Sequence, residues 1–215
     1  MTSHRITTVL TRYKTTVLLF AVAGLLLGTV LSFVRPLEYR ASTRLLITQG
    51  TLSADAYTAS RSAERIADDL AQIVFTSTFF EQVMDAGYNI DKDQFPPEET
   101  QGAKRRKKWS RTVGASVTRG TGLLTVSVFH KDPKQARQIA EAISFVLTQR
   151  GWQYTSGKDI TVRQVDASLV TKYPVRPNIP ANAFVGLVLG ALVGGVFVVV
   201  RADQEERRGR FMHRS

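Results

Sequence analysis

Two stretches of this chain are apolar throughout. Residues 15–34 (TTVLLFAVAGLLLGTVLSFV) and 181–200 (ANAFVGLVLGALVGGVFVVV) each run for 20 residues without a charged side chain. A helix rises about 1.5 Å per residue, so each would span about 30 Å, the thickness of a bilayer's hydrocarbon core. Both are predicted to be transmembrane helices. The first, preceded by Arg5, Arg12 and Lys14, also has the layout of a secretory signal. Its apolar stretch exceeds the roughly 7–15 residues of such signals, and Ser32-Phe33-Val34 lacks the small-x-small cleavage pattern, so a retained anchor is expected.

Between the spans the pattern alternates between strand and helix. Residues 39–48 (YRASTRLLIT) begin with polar and apolar residues in alternation, as a half-buried strand does. Ala63, Ile66, Ala67, Leu70 and Val74 then recur at helical spacing. A second short helix is expected from the capping-box pattern Thr78-Phe79-Phe80-Glu81, with Gly87 as its stop. The polar stretch after it, with Pro96 and Pro97, reads as a loop. Residues 113–118 and 123–130 read as strands joined by the hairpin turn Arg119-Gly120-Thr121-Gly122. Asp132 is the expected N-cap of a further helix, with Pro133 at its first position and Gln135 completing a capping box. Ala136, Ile139, Ala140, Ile143 and Leu147 form its buried stripe, Gly151 ends it, and residues 160–165 form a last strand.

The fold class this implies is an α+β membrane protein, with two transmembrane helices flanking an external α/β domain. The order is β-α-α-β-β-α-β, close to a split βαβ arrangement with a single sheet near the membrane backed by helices. The expected organisation is a cytoplasmic tail at 1–14, spans at 15–34 and 181–200, an external domain at 35–173, a proline-rich strut at 174–180 and a second cytoplasmic tail at 201–215. The strut is Pro174, Pro177 and Pro180, whose period of three matches polyproline II; the plainer alternative is that Pro180 starts the helix and the other two are loop residues.

Charge refines the topology. The tails carry eight Lys/Arg against three acids, whereas Arg35, Arg40 and Arg44 crowd the other end of the first span; large domains translocate with little regard to charge, so both termini are expected in the cytoplasm. Residues 35–180 hold 21 Lys/Arg and 15 Asp/Glu. Six of those cations lie within residues 104–111 (KRRKKWSR): Lys104, Arg105, Arg106, Lys107, Lys108 and Arg111. The net charge of the external segment therefore sits in one place. Outside a membrane a nucleic-acid role is not expected, and three readings remain. The run binds anionic lipid headgroups or a glycan, pairs with Asp91, Asp93, Glu98 and Glu99 of another copy, or is a solvated loop.

Small residues recur at every fourth position in both spans: Gly24, Gly28 and Ser32 in the first, and Gly186, Gly190 and Gly194 in the second. Such faces let helices approach closely in lipid, against the chain's own other span or a neighbouring copy.

Taken in order, these pieces resemble the polysaccharide co-polymerases, the Wzz-type chain-length determinants and related capsular polysaccharide biosynthesis proteins. The resemblance is carried by Pro36-Leu37-Glu38-Tyr39-Arg40-Ala41 after an early span, residues 77–83 (STFFEQV), residues 122–128 (GLLTVSV) before Asp132-Pro133 and Ala136, and the three prolines before a glycine-rich second span. It implies a homo-oligomer in the cytoplasmic membrane that sets the length of a growing glycan made by a separate polymerase or synthase, with no catalytic residues of its own. Many relatives carry a fused tyrosine kinase. No G-x-x-x-x-G-K-[ST] loop occurs here, so any kinase is expected to be a separate polypeptide, with Phe211 as its anchor on the tail. The alternative for the tail is a lipid-facing basic segment.

A search for catalytic chemistry points the same way. His4 and His213 lie in the tails and His130 in the domain, so no histidine cluster is expected, and the absence of cysteine excludes thiol catalysis and zinc–thiolate sites. Asp68 and Asp69 are adjacent on a helix and point about 100° apart, as a solvated face would. No enzyme activity, cofactor or metal is expected. The competing function is a two-span receptor or channel subunit with an external ligand-binding domain. A channel calls for polar pore-lining positions, which residues 183–200 lack.

Overall fold

The computed structural model describes residues 12–50, 55–155 and 160–212, with the side chains of residues 98–100 and 205–212 outside that description. The chain divides into two compact units, one containing both apolar helices and the other comprising Glu38–Val175. Among the described residues the protein is α+β, with one antiparallel sheet and two helices long and apolar enough to cross a membrane.

The Glu38–Val175 unit is built on strands β1 (Tyr39–Gln49), β2 (Val113–Val117), β3 (Leu123–His130) and β4 (Ile160–Val170). Their order in the sheet is β2-β3-β1-β4, every neighbouring pair antiparallel. The first and last strands are therefore neighbours, and the chain enters and leaves this unit at one end, where the Val175 N–H donates to the Glu38 carbonyl at 2.8 Å. The order is that of a split βαβ fold. Alternation in β1 sends Ala41, Thr43, Leu45 and Ile47 to the buried face, where Leu124, Val126 and Val128 of β3 join them.

Four helices complete the unit: α2 (Ala56–Ile73), α3 (Ser77–Met84), α4 (Glu98–Thr112) and α5 (Pro133–Arg150), the last followed by a 3₁₀ turn at Gly151–Tyr154. Helix α5 starts on Asp132, whose carboxylate accepts the Lys134 N–H at 2.8 Å, with Pro133 at its first position. Its Ala136, Ile139, Ala140, Ile143 and Leu147 are fully buried. The β2–β3 turn needs its glycines for two reasons: Gly120 has φ +72°, and a Cβ at Gly122 would lie 2.1 Å from the Ile47 carbonyl oxygen.

Several expectations are corrected. Residues 98–112 are helical where a loop was expected, with one non-helical residue, Gln101. The cap of α3 is Thr76, which accepts the Phe79 N–H at 3.3 Å, rather than Thr78. Gln135 forms no capping box: it donates to the Asn89 carbonyl at 3.1 Å and accepts the Asp91 N–H at 3.0 Å, fixing the segment before Pro96 against α5. Strand β4 runs on to Val170 because its later residues pair with Ala41 and Ser42. The prolines do not form one strut: Pro180 lies inside the last helix, so only Pro174 and Pro177 precede it.

The membrane unit pairs α1 (Lys14–Ser32) with α6 (Ile179–Met212). Helix α6 continues past the expected end of its span, so residues 201–212 are helical. Phe211 has a helical backbone, and its side chain lies outside the described residues, as do His4 and His213.

Candidate functional site

The two glycine faces meet within the same chain. They run antiparallel, Gly24 against Gly186 and Gly190, Gly28 against Asn182 and Gly186, and Gly190 and Gly194 against Phe20. A Cβ would lie 2.3 Å from the Gly186 carbonyl oxygen if added to Gly24, and 2.2 Å from the Phe20 carbonyl oxygen if added to Gly190. Only hydrogen fits at these places, so backbone packs on backbone. Ser32 donates to the Gly28 carbonyl at 3.0 Å and accepts from Asn182 Nδ2 at 2.9 Å, which pairs the polar groups where the seam ends. Phe20 and Phe197 close the other end, their rings 5.3 Å apart. The seam joins the chain's own spans, and Thr29, Ser32 and Asn182 all hydrogen-bond within the pair.

In the other unit, α4 carries the basic run, and the helix sorts it by face. Trp109 is 1% exposed and donates its Nε1–H to the Val74 carbonyl at 2.7 Å. It packs edge-on against Phe80 and Phe95, with ring centroids 5.1 and 5.8 Å away. Arg105, one turn earlier, is also buried; its guanidinium lies 4.7 Å from the Phe80 ring and pairs with Glu81 at 3.3 Å. Lys104, Lys107, Lys108 and Arg111 are exposed at i, i+3, i+4 and i+7, which is one stripe of a helix, while Arg106 is exposed to one side of it. Lys108 is held by the Gln94 carbonyl and sits 5.7 Å from the Phe95 ring. The run is therefore a structured helix with an inward arginine and tryptophan, and a four-residue cationic stripe outside. Of the acidic residues set against it, Asp91 and Asp93 are exposed, with Asp91 accepting the Asp93 N–H at 3.2 Å; the Glu98 and Glu99 side chains lie outside the described residues.

His130, outside these two sites, has structural partners on both ring nitrogens. His130 accepts the Asp132 N–H on Nδ1 at 3.0 Å, which leaves Nε2 to donate to Gln94 Oε1 at 2.6 Å. Asp68 and Asp69 are both exposed on α2. Hydrogen bonding by Thr58 lowers the pKa of the Asp55 carboxyl, the N-cap of α2. Burial raises the Tyr154 phenol, against a smaller opposing effect of Arg150. Among the described residues no group of three or more His, Cys, Asp or Glu side chains is placed to hold a metal ion.

No protein-family model matches the chain. Among curated proteins it is similar to the capsular polysaccharide biosynthesis protein CpsC of Streptococcus agalactiae, 23% identical over 190 residues that cover 87% of this chain and 75% of the relative. The CpsC of a serotype Ia strain of the same species gives the same identity and coverage. The similarity thus covers most of the chain, and the relative is named for capsular polysaccharide biosynthesis.

Proposed function

We infer that this chain is a non-enzymatic scaffold of the polysaccharide co-polymerase type, which assembles into a homo-oligomer in the cytoplasmic membrane and regulates the length or export of a cell-surface polysaccharide. The observation that carries this reading is the similarity to a capsular polysaccharide biosynthesis protein over 87% of the chain. The two glycine-seamed helices, long and apolar enough to cross a membrane, support it as a membrane anchor. The scaffold's partners are a separate polymerase or synthase, the growing glycan, the bilayer and, through Phe211 on the tail, a separate tyrosine kinase.

The seam between α1 and α6 already occupies the glycine faces, so copies of the chain meet through other surfaces. Exposed Leu169 on the edge strand β4 is a suitable reporter position, because the chain has no cysteine of its own. Leu169→Cys is expected to give a ladder of cross-linked multimers in intact membranes, and reporters at Ser3 and Ser215 to read cytoplasmic while one at Gly102 reads external. A monomer at every cross-linker concentration, or tails on opposite sides, contradicts the reading.

A further inference from the structure

The groove between α5 and the edge strand β4 has a lining that neither the seam nor the basic stripe explains. Its volume is about 350 Å³, within the range of small-ligand sites. Ser144 of α5 and Ser168 of β4 both line it, 2% and 8% exposed, and the Oγ of each has no hydrogen-bond partner. A buried hydroxyl left unpaired is unfavourable, and native proteins keep few of them, so two beside one groove point to a ligand that completes them once each Oγ rotates toward it. Tyr88 and Phe145 form an aromatic wall there, with ring centroids 6.0 Å apart, and Phe145 is 44% exposed. Gln164 also lines the groove, its Nε2 donating to Thr43 Oγ1 at 3.2 Å and the Asp166 carbonyl at 3.0 Å.

We propose that this groove binds a short neutral saccharide segment. A pyranose presents an apolar C–H face bordered by hydroxyls that both donate and accept. The aromatic wall matches the face, and the two serine hydroxyls with the amides match the border. Charge selects the class of sugar. Glu141, paired with Arg137 at 2.7 Å, is the charged residue of the lining, so the groove attracts no anion. Uronic or sialic acids would set their own carboxylate against that of Glu141, whereas neutral sugars bring no charge to it. A lipid tail would leave both serine hydroxyls unpaired. The proposal rests on the polysaccharide reading above and adds a place where the glycan touches the scaffold.

The test uses the full chain in nanodiscs and oligosaccharides released by partial hydrolysis of the producing cell's own surface polysaccharide, separated into neutral and acidic fractions. Saturation-transfer NMR is expected to show binding of the neutral fraction. Ser144→Ala and Ser168→Ala should each weaken it about fivefold, the worth of one hydrogen bond, and Phe145→Ala should weaken it further. Thermal unfolding of the two serine variants should stay near that of the natural chain, because neither hydroxyl is bonded within the protein. No binding of the neutral fraction, preference for the acidic fraction, or equal binding by the Ser144→Ala/Ser168→Ala double variant overturns the proposal. So does a change in oligomer size in that variant with binding intact, which would assign the groove to a second copy. If polymer length depends on the chain but binding is absent, the groove proposal fails alone; if length is independent of the chain, the scaffold reading fails.

Discussion

Substituting a single seam glycine by alanine should open the helix pair. At Gly24 the added Cβ would lie 2.3 Å from the Gly186 carbonyl oxygen and 2.9 Å from the Gly190 Cα, and all of these are backbone atoms. Even weak carbon–oxygen contacts sit at about 3.3–3.6 Å, so α1 and α6 must separate by about 1 Å along the seam. Backbone cannot rotate away as a side chain can, and overpacking of this kind costs about 1–3 kcal/mol. Lipid offers no hydrophobic force to draw the helices back together. The equilibrium for opening the pair should therefore shift by roughly 5- to 150-fold. The chain has no cysteine, so Leu18→Cys and Val196→Cys, both on the outer surface of the pair, can carry a donor and an acceptor dye. Energy transfer followed through an SDS titration in mixed micelles should lose its signal at lower SDS in Gly24→Ala and Gly190→Ala. Leu26→Ala, an exposed control, should stay near the parent. Equal midpoints for parent, Gly24→Ala and Gly190→Ala would refute the close-packed seam.

Three further outcomes are expected. Trp109→Ala should destabilise the sheet unit by about 3–5 kcal/mol, measured by denaturant unfolding, because it empties a fully buried site and removes the donor to Val74. Changing Lys104, Arg106 and Lys107 to serine should leave that stability nearly unchanged while altering polymer length in cells, and the effect should weaken with added salt; normal length would leave the basic run as a solvated face. Asp55 has its folded pKa below the unfolded value of 3.8, so its cap is fully effective above about pH 4 and is lost as pH falls through the folded pKa. The Thr58 amide resonance should report that loss, and Asp55→Asn should abolish the titration while retaining a cap.

The parts legible in the sequence are those where a single physical rule acts locally. Two uncharged 20-residue runs, the Asp132-Pro133 start of α5 and the alternation in β1 each follow from neighbouring residues. Helix α4 was not legible, since its only large apolar residue is Trp109 and it follows two prolines; periodicity cannot be read from one anchor. What signal there was lay in Arg105 and Trp109, four apart, facing one way. The glycine repeats were legible as close-packing faces, but only the structure pairs them with each other. Gln135 was misread because its partners, Asn89 and Asp91, are more than 40 residues away. The groove was hidden for the same reason: Ser144 interrupts the apolar face of α5, but Ser168 is brought beside it only by the placing of β4 at the sheet edge.

On the proposed reading this chain sets polymer length without making the polymer. The most direct measurement is the size distribution of surface polysaccharide from cells lacking the chain, compared with cells in which it is restored. The scaffold reading expects synthesis to continue in its absence with a shifted or broadened length distribution, and the original modal length to return on restoration. A length distribution that is the same with and without the chain would contradict it.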